Sequence, residues 1–260
     1  MFRGMKTPEI VATIAELRSH VAAWRGAGQR VGLVPTMGAL HAGHLSLVDA
    51  VRGCADKAVV TIFVNPAQFA PHEDFDRYPR TLEVDAEKLG GKADLIFAPT
   101  VKEMYPEGFA TKIDVGGPSE GLETDFRPLF FSGVATVVAR LLIAAMPDVA
   151  IFGEKDWQQL QVIRRLVTDL ALPIEIMGAP ILREADGLAM SSRNAYLKPH
   201  ERAIAGKMNV ILRNAKDVEQ AKRDLLSAGF DSVDYVAIRD GRILAAAKIG
   251  GTRLIDNMAI

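Results

Sequence analysis

Short apolar runs alternate with longer helical patterns along most of the chain. The runs are rich in Val, Ile and Phe, show no strict alternation of polar and apolar residues, and span Arg30–Val34, Ala58–Val64, Ala93–Ala98, Val149–Gly153 and Ile174–Met177. Continuously apolar strands are typical of parallel sheets that helices cover on both faces. The pattern therefore predicts an α/β fold with a doubly wound, Rossmann-like parallel sheet.

The character of the sequence changes after about Leu182, where a polar loop begins. Residues 199–228 have a helical pattern, and Asp231–Arg239 and Arg253–Ile255 are predicted to be strands joined through the Asp240-Gly241 turn. We therefore predict two domains, a large one over residues 1–182 and a small α+β domain over residues 183–260.

Composition bounds the classes of partner. Hydrophobic residues make up 49% of the 260-residue chain, charged residues 24%, and the formal net charge is −1. This balance gives no electrostatic reason to expect nucleic acid or a membrane as a partner, so small molecules are the expected ligands. Val134–Met146, the most apolar stretch, is interrupted by Arg140 and is predicted to be a buried helix. A single cysteine, Cys54, and six initial residues without an apolar block favour a cytoplasmic location.

The clearest candidate site lies in residues 33–48, where an apolar strand passes through a glycine turn into a helix. Gly38 and Gly43 permit a sharp turn and a close ligand approach. His41 and His44 fall near the first turn of the helix, whose unpaired N–H groups favour an anion. The segment therefore predicts a polyphosphate site. It has neither the lysine of a P-loop nor the three glycines of a dinucleotide fingerprint.

Two further polar segments follow predicted strands. After the second strand, Asn65 and Gln68 offer neutral hydrogen-bonding groups to a substrate, although Asn-Pro is also a frequent turn opener. After the fourth, Lys155 is suited to neutralise a phosphate and Asp156 to orient a ligand or a metal-bound water. Gln159, one helical turn later, is expected to face the same crevice. A solvated surface ion pair is the alternative for the charged residues.

A third segment, Met190–Asn194, contains two hydroxyl groups and a guanidinium. Arginine suits polyphosphate because its planar fork bonds two oxygens at once. The alternative for this segment is an ordinary helix N-cap. No zinc-binding spacing and no nucleophile elbow is present in the sequence.

Taken together, these motifs closely resemble the pantothenate synthetase family over nearly the whole chain. The motifs that carry the resemblance are Pro35–His44, Phe63–Phe69, Phe152–Gln159, Met190–Asn194 and the closing Thr252–Asn257. The short His-x-Gly-His motif alone is less specific, since it is similar to one found throughout a nucleotidyl-transferring superfamily that includes the class I aminoacyl-tRNA synthetases.

The resemblance implies an ATP-dependent ligase that joins pantoate to β-alanine through an enzyme-bound pantoyl adenylate, releasing pyrophosphate and then AMP. It also implies Mg²⁺, a homodimer, and a small C-terminal domain that acts as a lid. His44, His41 and Lys155 would be the catalytic residues, Gln68 and Gln159 would bind pantoate, with Gln68 also near β-alanine, and Asp85 would contribute to the magnesium site. The implied ATP contacts are Met37, Gly38, Ala39, Leu40, His41, Ala42, Gly43, His44, Gly153, Glu154, Lys155, Asp156, Leu182, Met190, Ser191, Ser192 and Arg193.

The chain departs from the family pattern in two places. Leu129 and Phe130 replace the usual Gly-His pair, which removes an imidazole near the expected substrate pocket. The segment between about Asn214 and Asp231 is shorter than is usual for the lid. Two other functions stay open. One is a related nucleotidyltransferase that leaves the nucleotide in its product, and the other is a nucleotide-binding regulator without activity.

Overall fold

The computed structural model describes residues 7–70 and 75–260. The chain divides into two compact units. The larger comprises the described residues within Met1–Leu40, His44–Gly153 and Gln158–Ala179, and the smaller comprises His41–Gly43, Glu154–Trp157 and Pro180–Ile260. Two short segments from the first part of the chain thus belong to the smaller unit. The first six residues, which were used to predict a cytoplasmic location, lie outside the described residues.

The larger unit is built on a parallel sheet of six strands. The strands are β1 (Glu9–Val11), β2 (Val31–Thr36), β3 (Lys57–Ile62), β4 (Leu95–Phe97), β5 (Val149–Gly153) and β6 (Glu175–Ala179). The helices in this part of the chain are α1 (Ile14–Gly26), α2 (Ala42–Arg52), α3 (Leu82–Lys88), α4 (Val101–Met104), α5 (Glu123–Phe126), α6 (Phe130–Ala145) and α7 (Trp157–Asp169). All the predicted strands are present, which confirms the predicted α/β sheet.

The strand order β1-β4-β3-β2-β5-β6 places the switch point of the sheet at β2. After β2, the chain adds β3 and β4 on one side of that strand and later adds β5 and β6 on the other. In open parallel sheets, ligands bind outside the carboxyl ends of the strands at such a switch point. A ligand site is therefore expected at the loops that follow β2, β3 and β5.

Buried apolar residues explain why these runs form central strands. Leu33 and Val34 of β2 are fully buried, and Gly32 lets α2 pack against the strand, since a Cβ at this position would lie 2.3 Å from Cγ2 of Val51. Helix α6 is buried along most of its length, which confirms the prediction of a buried helix there. Among the described residues, no helix combines the length and hydropathy needed to cross a bilayer.

The smaller unit contains α8 (Pro199–Ala205), α9 (Lys207–Asn214) and α10 (Val218–Ala228), followed by an antiparallel sheet in the order β7-β8-β9. Its strands are β7 (Ser232–Arg239), β8 (Arg242–Ile249) and β9 (Thr252–Ala259). The predicted α+β character is confirmed. The predicted hairpin was wrong in one respect, because the Asp240-Gly241 turn leads into β8 rather than into the strand that contains Arg253–Ile255. Alanines 245–247, which are fully buried, have a weak strand propensity and hid β8 from the sequence pattern.

We expect Gly32→Ala to lower the free energy of unfolding by about 1–3 kcal/mol, because the added methyl group would force β2 and α2 apart. Urea denaturation measures this change. The matched control is Gly26→Ala at the end of α1, where a Cβ meets no atom within 4 Å and the higher helix propensity of alanine favours the fold. Equal stability of the two variants would contradict the packing argument.

Candidate active site

A buried carboxylate fixes the turn that follows β2. Gly38 and Ala39 both have left-handed backbone conformations, with φ of 82° and 50°. The side chain of Asp85, fully buried on α3, accepts hydrogen bonds from the backbone N–H groups of Ala39 at 2.9 Å and Leu40 at 2.8 Å. Lys88 of the same helix donates to the carbonyl of Leu40 at 2.7 Å. Helix α3 therefore holds the turn in a left-handed conformation that Gly38 adopts readily but Ala39 does not favour.

The surroundings of Asp85 bear on the predicted magnesium site. Besides the two backbone groups, its carboxylate accepts from Thr81 Oγ1 at 3.1 Å and lies 4.0 Å from Lys88 Nζ. Within residues 7–70 and 75–260, no group of three or more His, Cys, Asp or Glu side chains could hold a metal ion. The described residues therefore do not fit a magnesium site made of protein ligands alone, and a magnesium role for Asp85 stays a prediction.

The two histidines flank the start of α2, as the sequence predicts. His41 immediately precedes the helix and His44 lies in its first turn, and both side chains are half-buried. Nδ1 of His41 accepts a hydrogen bond from Gly43 N at 3.1 Å, so Nε2 is the ring nitrogen that donates. A Cβ on Gly43 would lie 2.9 Å from this imidazole, so a side chain there would displace the ring from the helix start.

Asn65 organises the loop after β3. It caps the short 3-10 helix Pro66–Gln68 by accepting a hydrogen bond from Ala67 N at 3.2 Å. Its amide nitrogen donates to Gln68 Oε1 at 3.1 Å and to the carbonyl of Gly133 at 3.2 Å. Asn65 is 1% exposed, so these contacts hold the carboxamide of Gln68, whose nitrogen lies 2.9 Å from the sulfur of Met37.

Tyr105 supports Asn65 and was missed by the sequence reasoning. Its hydroxyl donates to Asn65 Oδ1 at 2.7 Å. Burial raises the pKa of the Tyr105 phenol to about 12, although the charge of Arg140 and the hydrogen bond to Asn65 act in the opposite direction. The phenol is therefore a neutral donor throughout the physiological range. No sequence signal links it to the site, since it lies 40 residues beyond Asn65 in a loop that carries no motif.

Arg127 contacts the C-terminal end of the 3-10 helix Pro66–Gln68. Its guanidinium donates to the carbonyl of Gln68 at 3.2 Å and lies 3.7 Å from the carboxylate of Glu123. It also lies 3.7 Å from the ring centre of Phe130, an arrangement that favours a cation–π interaction. Phe130, which departs from the family pattern, thus packs on Arg127, whereas the neighbouring Leu129 is 68% exposed.

The loop after β5 is a 3-10 turn, Glu154–Asp156, that leads directly into α7. Lys155 Nζ lies 3.8 Å from the carboxylate of Asp156, and Glu154 pairs with Arg242 at 3.6 Å. These four residues all belong to the smaller unit. Gln159, in the larger unit, lies in the first turn of α7 and is half-buried.

The Met190–Asn194 segment leads into a 3-10 helix, Ser192–Tyr196, that Ser191 caps. Ser191 Oγ accepts from Arg193 N at 3.3 Å, so the capping role considered from the sequence is present. The N–H of Met190 donates to the carbonyl of Leu182 at 3.0 Å, which brings together two of the predicted ATP contacts.

Parts of three predicted ATP segments lie within the smaller unit: His41–Gly43, Glu154–Asp156, and Leu182 with Met190–Arg193. The first and third are neighbours there, because a Cβ on Gly43 would lie 3.5 Å from Cβ of Met190. The remaining predicted site residues belong to the larger unit; they are Met37, Gly38, Ala39, Leu40, His44, Gln68, Asp85, Gly153 and Gln159.

The parallel sheet, with α2 starting beyond the carboxyl end of β2, defines the doubly wound α/β class, whose members bind ligands at the carboxyl edge of the sheet. The sequence model described as pantoate-beta-alanine ligase matches residues 9–259. A pantothenate synthetase of Mesorhizobium japonicum is 55% identical, and the match covers 98% of this chain and 99% of that protein. The chain therefore belongs to the pantoate–β-alanine ligase family.

Solved structures agree with this assignment. Pantothenate synthetase from Thermus thermophilus superposes with a TM-score of 0.88 at 44% identity, covering 96% of this chain and 99% of that one. The pantoate-beta-alanine ligase from Francisella tularensis, solved in complex with beta-gamma ATP and beta-alanine, gives a TM-score of 0.91 at 36% identity and 97% coverage of both chains. The predicted fold class, family and ligase activity are confirmed.

We expect the phenol of Tyr105 to ionise near pH 12 in the folded protein, whereas a phenol in the unfolded chain ionises near pH 10. Because its pKa is raised in the folded state, its contribution to stability is complete below about pH 10 and is lost as the pH rises toward 12. Ultraviolet difference titration of the native protein against Tyr105→Phe measures the ionisation, and the urea-unfolded protein serves as the control. A native difference signal centred near pH 10 would contradict the burial of this group.

Proposed function

We propose that this chain joins pantoate to β-alanine in two steps. The carboxylate of pantoate first attacks the α-phosphorus of ATP, which forms pantoyl adenylate and releases pyrophosphate. The amine of β-alanine, after its ammonium form has lost a proton, then attacks the acyl carbon, which forms pantothenate and releases AMP and a second proton. The helix start that follows the clamped turn after β2 carries this proposal, because it combines the N-terminal N–H groups of α2 with His41 and His44.

The chemistry of the first step explains the residues proposed for it. A carboxylate is already ionised at neutral pH, so the attack needs no general base, and the main difficulty is bringing one anion to another. His41, His44 and Lys155 act by donating to phosphate oxygens and stabilising the charge that develops toward pyrophosphate. The other proposed ATP contacts are Met37–Leu40, Ala42, Gly43, Gly153, Glu154, Asp156, the backbone of Leu182, and Met190–Arg193.

The neutral amides of Gln68 and Gln159 are proposed to bind pantoate, with Gln68 also near β-alanine. A carboxamide donates to a carboxylate and either donates to or accepts from a hydroxyl, so it suits a hydroxy acid without adding charge. The contacts of Gln68 with Asn65 and Met37 support this role, since they hold its amide in one orientation. A substrate that is a phosphate monoester would call for additional cations instead.

Magnesium, the assembly and the location are further parts of the proposal. Mg²⁺ prefers phosphate oxygens and water to a cage of protein ligands, so it would enter with ATP and neutralise phosphate charge. Asp85 is the acidic residue proposed to assist it. We also propose a homodimer that acts in the cytoplasm on small molecules, with no nucleic acid or membrane partner. The net charge of −1 supports the choice of small-molecule ligands.

We expect His44→Ala and Lys155→Ala to fold and to slow adenylate formation by about 100-fold or more, because each removes a donor to the phosphates. Single-turnover measurement of pantoyl adenylate from ATP and pantoate tests both. His20→Ala and Lys222→Ala, which change residues of α1 and α10 outside the proposed site, are the controls. Normal rates in either site variant would refute its assigned role.

The order of product release tests the proposed two-step route against a transferase that keeps the nucleotide and against a regulator without activity. With pantoate alone, we expect one equivalent of pyrophosphate and no free AMP, and with β-alanine added, we expect continuous AMP release. A chromatographic assay of the nucleotides, run with each substrate separately and with both, provides the measurement. A transferase that keeps the nucleotide in its product would release no AMP, and a regulator would bind ATP without releasing pyrophosphate.

A further inference from the structure

The last strand of the smaller unit carries two consecutive buried polar residues, Asp256 and Asn257, which are 2% and 1% exposed. The amide nitrogen of Asn257 donates to the carbonyl of Glu154 at 3.0 Å and to that of Lys155 at 2.9 Å. These contacts join residues more than 100 positions apart in the sequence. The buried side chain of Asn257 on β9 therefore hydrogen-bonds to the turn that contains Lys155, the proposed phosphate-binding lysine.

The two carbonyls belong to the two peptide groups on either side of the Lys155 Cα. The Glu154 carbonyl lies in the peptide that precedes Lys155, and the Lys155 carbonyl lies in the peptide that follows it. Because peptide groups are planar, fixing both of them fixes the two backbone dihedral angles of Lys155. The direction in which the lysine side chain leaves the backbone is thereby set by Asn257.

Arg242 determines which way the Asn257 amide faces. Its Nε donates to Asn257 Oδ1 at 2.6 Å, which leaves the amide nitrogen directed at the two carbonyls. The same guanidinium lies 3.6 Å from the Glu154 carboxylate and 4.4 Å from the ring centre of Trp157. Arg242 therefore contacts residues on both sides of Lys155 as well as the amide itself.

The backbone of Asn257 is fixed in its turn by Asp256. One oxygen of that carboxylate accepts from Asn257 N at 2.7 Å, and the two oxygens bind the guanidinium of Arg183 at 2.7 and 2.9 Å. Arg183 also donates to the Asn257 carbonyl at 3.1 Å. Arg183 directly follows Leu182, so this network extends from the Lys155 turn to the loop that precedes Met190.

We infer that Asn257 is a positioning residue for adenylate formation, because it fixes the backbone of Lys155 and thereby aims the ammonium at ATP. The inference rests on the proposed role of Lys155 in phosphate binding. A neutral amide is required, since a carboxylate of the same shape at this position would face two carbonyl oxygens and repel them. Asn257→Asp is therefore expected to be more damaging than Asn257→Ala, although it changes the side-chain volume less.

The test compares adenylate formation in Asn257→Ala and Asn257→Asp by single-turnover kinetics. A misplacement of about 1 Å can cost about 100-fold in rate, so we expect a loss of about 10-fold for the alanine variant and about 100-fold for the aspartate variant. The KM for β-alanine is expected to stay unchanged. Leu254→Ala, which removes a buried core side chain from the same strand, is the control for a general loss of stability and should keep the wild-type rate.

A double variant separates positioning from a structural role. If Asn257 acts through Lys155, then Asn257→Ala should have no further effect on the rate of Lys155→Ala. Additive losses, or a wild-type rate in Asn257→Ala, would overturn the inference. A low rate of Lys155→Ala in the same experiment would still support the proposed role of Lys155. Normal activity of Lys155→Ala would instead refute the proposed role of Lys155 in phosphate binding. If the alanine variant does not fold, Asn257→Ser, whose hydroxyl can donate to one carbonyl, replaces it in both comparisons, with an expected loss smaller than about 10-fold.

Discussion

The proposed site depends on the hydrogen bonds between the carboxylate of Asp85 and the backbone of Ala39 and Leu40. They hold a left-handed turn at the switch point of the sheet, and α2 starts two residues later. Hydrogen bonds to a charged group are among the stronger ones, and here they are buried. Without them, the helix start that is proposed to bind the phosphates would lack this fixed direction relative to the strand that precedes it.

Neutral amides hold two of the loops that follow strands of the parallel sheet. Asn65 grips the loop after β3, and Asn257 grips the turn after β5, each nearly inaccessible to solvent. In both cases a donor fixes the amide oxygen, namely the Tyr105 hydroxyl for Asn65 and the Arg242 guanidinium for Asn257. An amide donates and accepts at the same end of a side chain, so it can join groups of opposite hydrogen-bonding character without burying a charge.

The elements that were predicted from the sequence are those whose burial produces a local pattern of apolar residues. The apolar runs of β2, β3, β5 and α6 indicated the sheet and its buried helix, and the His-x-Gly-His spacing located the helix start. Strand β8 was not predicted because its alanines have little strand propensity. The contacts of Tyr105, Arg127 and Asn257 were not predicted, although Asn257 belongs to a recognised motif. Their partners are distant in sequence, and a single sequence holds no signal of which polar side chain reaches which loop.

The residue composition of the smaller unit, which is discontinuous in sequence, limits how this chain can be truncated. Its residues 41–43 and 154–157 come from the middle of the other unit's sequence, so one cut near residue 182 cannot release it whole. A fragment beginning there would keep the amide of Asn257 but lose the carbonyls that it binds, and the guanidinium of Arg242 would lose Glu154 and Trp157. The smaller unit is thus not a contiguous stretch of chain, and an exchange of C-terminal halves between homologues would have to include residues 41–43 and 154–157 as well.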